Sequence, residues 1–181
     1  MGPDERLVVE RLGQGDRDAC VELIHLHHQK VYGYLRRLGA DSSLAEDLTQ
    51  ETYAKAWAHL ETLRKASSLR SWLLAIARNE YFQWHRVTRA DEQSTASLPD
   101  CPDESPSAEE GVSRAERDEG LWQAMAMLDA DSQEALSLHY FQDLSLREVG
   151  AVLGLPTGTV KSRLSRALAG LRRALKDGDG S

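Results

Sequence analysis

The sequence predicts an all-α protein made of two small helical domains joined by a flexible acidic linker, and three observations carry that expectation. Apolar residues recur every three or four positions through residues 1–89 and again from about residue 112 to 176, which is the period of helices with one buried stripe. Between these stretches, residues 90–111 hold Asp, Glu, Ser and Pro with almost no large apolar side chain, too little to fold on its own. The formal charge of −7 over 181 residues is also unevenly spread: −4 over 1–63, +5 over 64–89, −8 over 90–120, −4 over 121–156 and +4 over 157–181. These features set the domains at 1–89 and 112–177, with 90–111 as linker. An apolar content of 41% supports real cores. The second domain, at about 65 residues, is small for an independent one.

In chain order, Glu5 to Leu12 predicts a short amphipathic helix ended by Gly13 and Gly15. Asp16 caps a longer one with Cys20, Leu23, Ile24, His27, Val31, Tyr34, Leu35 and Leu38 on its apolar face. Ser43 and Glu46 have capping-box spacing for a third helix to about Leu60. Its stripe is Ala45, Leu48, Thr52, Tyr53, Ala56, Trp57 and Leu60, and Asp47, Gln50, Glu51 and Ala54 form a polar ridge opposite. A polar loop over 61–68 precedes a helix from Leu69 to about Val87, capped by Ser68 and packed through Leu69, Leu73, Ile76 or Ala77, Tyr81 and Trp84. After the linker come a helix from Val112 to Leu128, a helix opened by an Asp131/Glu134 capping box and running through Tyr140 and Phe141, and two final helices.

Those last two are the most informative. Ser145 and Glu148 form a capping box, Leu146, Val149 and Leu153 supply an apolar face, and Gly154, Leu155 and Pro156 break the helix. Pro156 to Lys176 then carries six basic residues and no acid, with Val160, Leu164, Leu168, Leu171 and Leu175 as its stripe. Two helices around a tight turn, the second one basic, make a helix-turn-helix whose second helix fits the major groove. Thr157 is a suitable N-cap, and Lys161, Ser162, Arg163, Ser165 and Arg166 project off the stripe as candidate DNA contacts.

A second nucleic-acid signal lies in the +5 block. Arg78, Asn79, Phe82, His85 and Arg86 share a face off the apolar stripe, offering an aromatic platform, an amide for base edges and cations for the backbone. The alternative is that Phe82 and Trp84 pack beneath the following loop. On the third helix, Asp47 and Glu51 could serve as acid and base, yet no histidine accompanies them on that face. No catalytic residue and no cofactor is therefore expected, and the ridge reads as a solvated face or a protein-docking surface. His25, His27 and His28 point in different directions on a helix, which argues against a metal site. Cys20 and Cys101 form no metal spacing and no disulfide framework, and Cys101 sits in the linker with nothing nearby to lower its pKa. The chain opens with no charged-then-apolar leader, and no apolar run approaches the about 18 residues that span a bilayer, so a cytoplasmic protein without membrane insertion is expected. Extended, the 22-residue linker spans about 75 Å, and as a relaxed coil about 25 Å, enough to hold two domains on sites a couple of duplex turns apart.

Three motifs in order across both domains resemble the extracytoplasmic-function (ECF, group 4) sigma factors of bacterial RNA polymerase, in the sigma-70 family. They are Ala45-Glu46-Asp47-Leu48-Thr49-Gln50-Glu51-Thr52 followed by Trp57, then Leu69-Arg70-Ser71-Trp72-Leu73 with Ile76-Ala77-Arg78-Asn79, and Gly158-Thr159-Val160-Lys161-Ser162-Arg163-Leu164. The resemblance implies that Asp47, Gln50 and Glu51 dock on the clamp helices of the polymerase's largest subunit. It implies that Arg78, Asn79, Phe82 and Arg86 serve opening of the minus-ten element and capture of a flipped base. It further implies that Thr157, Lys161, Ser162, Arg163, Ser165 and Arg166 lie on the helix that reads the minus-thirty-five element. The linker would thread toward the polymerase active centre, and an anti-sigma factor, in this family often membrane-bound, is the implied control. Departures from the family pattern are Tyr53 for Phe, Gly150 for a common Ala, Asp129 for a Pro, Glu134 and Ala135 where an Arg is common, and Leu168 for a second Arg. Two rival readings are a sigma mimic that sequesters anti-sigma factors and a dimeric helix-turn-helix regulator. The first leaves two basic blocks without a purpose, the second leaves the Asp47 ridge idle.

Overall fold

The computed structural model describes residues 3–63, 69–92, 124–125 and 127–178. Among these the regular elements are all helices: α1 Pro3–Gly13, α2 Arg17–Arg37, α3 Ser42–Ala58, α4 Leu60–Leu63, α5 Leu69–Glu92, α6 Ala130–Leu136, a π-helical turn Ser137–Phe141, α7 Leu146–Leu153 and α8 Thr157–Gly178. The expected cap Ser68, the bulk of the linker and residues 112–123 of the helix expected from Val112 to Leu128 fall outside the described residues. So does the linker thiol of Cys101.

The helices begin where local chemistry supplies hydrogen-bond partners for their first amides. The Asp16 carboxylate accepts from Asp18 N–H at 2.9 Å and starts α2. At α7 the Ser145/Glu148 box is complete in both directions. Three capping expectations are displaced. Asp41, not Ser43, caps α3 by accepting from Leu44 N–H at 2.8 Å. Asp129 rather than Asp131 caps α6 by accepting from Ser132 N–H at 2.9 Å, and this leaves Glu134 free to reach elsewhere. Thr157 lies one position inside α8, where the Pro156 carbonyl accepts from Val160 N–H. Residues 60–63 form the short helix α4 instead of loop, and α5 continues through Glu92, past the expected linker boundary at residue 90.

Helices α2, α3 and α5 pack on one another in the first half, with α1 lying against α2. Their shared core includes Val31, Leu35, Ala45, Ala56, Leu69, Leu73 and Ala77. In the second half α6 and α7 pack on α8 through Ala135, Val149, Val152, Val160 and Leu164. The halves are not separate bodies: α5 also packs along α7, and the two cores form one cluster. Leu74 is fully buried although it lies off the expected stripe of α5. Conversely, Trp57 and Trp84, expected in the core, are 48% and 38% exposed. Among the described residues no helix is long and apolar enough to cross a membrane.

The helix-turn-helix turn depends on two glycines. Gly154 closes α7 in the left-handed conformation at φ 67°, which other residues adopt only at a cost. Gly150 lies against the turn itself: a Cβ there would stand 2.6 Å from the Leu155 carbonyl oxygen, and Leu155 N–H donates to the Gly150 carbonyl at 2.9 Å. The usual alanine is thus excluded by backbone, not by propensity. Gly150→Ala should lower stability by about 1–3 kcal/mol through overpacking, whereas helix propensity alone would raise it by about 1 kcal/mol. Thermal unfolding of the two proteins distinguishes the signs.

Candidate functional site

Three faces carry the candidate residues, each on a different helix. On α3, Asp47, Gln50 and Glu51 are all exposed, at positions i, i+3 and i+4. Inward-facing Leu48, Thr49 and Thr52 hold the ridge rigid, with both threonine hydroxyls donating to carbonyls one turn back at 2.6 Å. Lys55, one turn beyond, stands 3.7 Å from Glu51 but is drawn chiefly to the buried Glu80 of α5. The ridge therefore presents two carboxylates and an amide to solvent. The three histidines of α2 diverge, with His25 exposed, His27 buried and His28 stacked on Tyr32.

On α5, Asn79, Phe82 and Arg86 are exposed, and Phe82 is 45% so. The Arg78 guanidinium lies 4.7 Å above the Phe82 ring, a cation–π contact that orients the aromatic. His85 packs edge-on to Tyr81, with centroids 4.5 Å apart. Phe82 is presented on the surface, and the loop after α5, expected as its alternative cover, falls outside the described residues. Arg78 is differently placed from its neighbours: its Nε donates to Glu134 Oε1 at 2.8 Å and its Nη2 to Oε2 at 3.2 Å. Burial works against the guanidinium charge, and the Glu134 hydrogen bond outweighs it, raising the Arg78 pKa. Tyr34, fully buried on α2, donates its hydroxyl to the same Glu134 Oε1 at 2.6 Å. Burial first, and the Glu134 charge second, push that phenol well above its ordinary range. Beside this contact a cleft of about 460 Å³ opens between α5 and α6, lined by Arg37, Tyr81, Phe82, His85, Asp131 and Glu134 among others.

On α8, Thr157, Lys161, Ser162, Ser165 and Arg166 are exposed on the side away from Val160, Leu164 and Ala167. Arg163 sits apart: its side chain is 17% exposed and its Nη2 is 2.8 Å from the Asp131 carboxylate of α6. Sequence reasoning placed Arg163 with the DNA-facing residues and did not find its partner. It likewise missed Tyr34, Glu134 and Gln142 as residues that join the halves. Gln142 donates from Nε2 to the Lys30 carbonyl at 3.1 Å, and its own carbonyl accepts from Arg70 at 3.0 Å. The available signal was Glu134 itself, an acid at a position where the resembled family commonly has an arginine.

Helices alone among the described residues, a helix-turn-helix, an exposed aromatic–amide–arginine face and an acidic ridge together suit a DNA-directed protein. The comparisons with known proteins narrow this. The family model described as "Sigma-70 region 2" matches residues 23–90, and that described as "Sigma-70, region 4" matches residues 118–171. The chain is 31% identical to the RNA polymerase sigma factor YlaC of Bacillus subtilis, across 87% of this chain and 92% of the relative. It is 32% identical to the RNA polymerase sigma-H factor of Pseudomonas aeruginosa, across 95% and 94%, and 32% identical to the ECF RNA polymerase sigma factor SigL of Mycobacterium tuberculosis, across 83% and 85%. Among solved structures it is similar to the sigma factor RpoE of Bartonella quintana in complex with the anti-sigma factor NepR, with a TM-score of 0.70 and 29% identity over 84% of this chain and 94% of that one. The chain belongs to the sigma-70 family of RNA polymerase sigma factors, in its ECF group.

Arg163 and Arg166 of α8 should behave differently. Arg166→Ala is expected to weaken duplex binding and to lower the salt slope by about one unit without changing stability. Arg163→Ala should cost up to about 1 kcal/mol of stability, since Asp131 is largely solvated. Salt-dependent binding isotherms and thermal unfolding check both.

Proposed function

We propose that this chain is an alternative sigma factor that binds core RNA polymerase, selects promoters and assists strand opening, and that it is controlled by an anti-sigma factor. The observation that carries the reading is the pairing of both family regions in one chain with three separate exposed faces. Asp47, Gln50 and Glu51 fit docking on the clamp helices of the largest subunit, because a rigid acidic ridge without catalytic companions suits a protein partner. Asn79, Phe82 and Arg86, with Arg78 once it is released, fit capture of an unstacked base at the minus-ten element: ring stacking, edge reading and backbone neutralisation are the three requirements. Thr157, Lys161, Ser162, Ser165 and Arg166 fit the major groove at the minus-thirty-five element. Arg163 joins them only if it leaves Asp131. The division 1–89, 90–111 and 112–177 serves as docking-and-melting domain, tether and reading domain.

Phosphoryl transfer belongs to the polymerase, and this chain is not an enzyme in its own right. The solved sigma factor RpoE held by the anti-sigma factor NepR supports an anti-sigma partner here, through which a cytoplasmic chain could be held at a membrane. Asp47→Arg with Glu51→Arg should abolish binding to core polymerase while leaving the helical circular dichroism intact, as both side chains are solvated. Unchanged affinity for core enzyme in a pull-down titration would remove α3 from the docking interface.

A further inference from the structure

Resting on the reading of α3 as the polymerase-docking helix, we infer that Glu80 of α5 is a positioning residue for that docking: it takes up the Lys55 ammonium that would otherwise cancel Glu51, and so keeps the ridge anionic. Asp47, Glu51 and Lys55 stand one turn apart in a single row along α3. A glutamate four residues ahead of a lysine is the arrangement that pairs most readily on a helix surface. Left to itself, the row would offer one acid and one pair already satisfied within the chain. Lys55 turns instead toward α5, which packs on α3. Its Nζ donates to Glu80 Oε2 at 2.5 Å and stands 3.7 Å from Glu51 Oε1, too far for a hydrogen bond.

Burial decides which acid holds the ammonium. The Glu80 side chain is 10% exposed and that of Glu51 54%. A covered carboxylate needs a donor far more than a solvated one does, so Glu80 has the stronger claim. The Lys55 pKa is raised first by the Glu80 hydrogen bond, and the charge of Glu80 acts ahead of that of Glu51. Two acids and one base leave one negative charge unbalanced, and with Glu80 under cover that charge is displayed at Glu51. Neutralising Glu80 reverses the preference. Lys55 then closes on Glu51, and Asp47 alone is left uncompensated on the ridge. A partner that recognises this ridge does so with arginine, lysine or amide donors, and such pairs weaken when the acid is already matched within its own chain.

The test measures binding of the labelled full-length chain to core RNA polymerase by fluorescence anisotropy, with thermal unfolding of every variant alongside. Glu80→Gln keeps the shape and removes the charge, and should weaken binding by about five- to tenfold. Adding Lys55→Met removes the ammonium and should restore affinity, although the double variant still lacks the ion pair; a merely structural role for Glu80 predicts no such rescue. Glu80→Met, an apolar fill for the same site, should show the same loss and the same rescue. Glu51→Gln should cost the unsubstituted chain a similar factor and the Glu80→Gln chain little, because the two changes act on one charge. A folded Glu80→Gln chain that binds as tightly as the unsubstituted one overturns the proposal, as does a loss that Lys55→Met leaves in place. Either result leaves the docking reading intact, whereas an unsubstituted chain that fails to bind core enzyme sinks that reading and the role of Glu80 with it.

Discussion

A single buried carboxylate sets how the two halves of this molecule meet. Glu134 could have closed a capping box within its own helix, but Asp129 takes that role and Glu134 turns to Arg78 and Tyr34 instead. Desolvating a charge costs several kcal/mol, and well-placed donors recover about that much. The net stabilisation of such a triad against an apolar seam is accordingly near zero, but its directional demand is strict: only one docking of α6 on α5 fills both oxygens. Apolar packing of α5 against α7 supplies adhesion, and the triad supplies register.

What was legible in the sequence was what lies within about four residues. The Asp16 cap and the Ser145/Glu148 box follow from side chains that meet partners within one turn, the Gly154 break from a residue free to take a positive φ, and the exposed α3 ridge from the helical period. Where two capping residues compete, as Asp41 with Ser43 and Asp129 with Asp131, the pattern gives the helix but not its first residue. Trp57 and Trp84 were misplaced because large rings at stripe positions read as core, whereas the neighbours that would cover them are absent from the described fold. The contacts that join the halves link Tyr34 and Arg78 to Glu134 and Lys30 to Gln142 across most of the chain. No periodicity encodes such pairs. The departure at Glu134 marks the place without naming the partner.

Function divides among surfaces in the same way. Solvated carboxylates on α3 suit a protein surface, exposed cations and hydroxyls on α8 suit a duplex, and the Phe82 platform on α5 suits a base out of the stack. Net acidity is no obstacle to DNA binding here, because positive charge is concentrated in two blocks, residues 64–89 and 157–181, which contain Arg78 and Arg86 of α5 and the cations of α8. The acids of α6 lie against these cations, Glu134 on Arg78 and Asp131 on Arg163, and lower the net positive field there.

Promoter selection is tested most directly by transcription of fragmented host DNA with core RNA polymerase. With this protein added, new transcripts should arise from starts that share two spaced upstream elements, and those starts should be absent with core enzyme alone. Tight binding to polymerase or to an anti-sigma factor with no new start sites would contradict the claim and favour a sigma mimic.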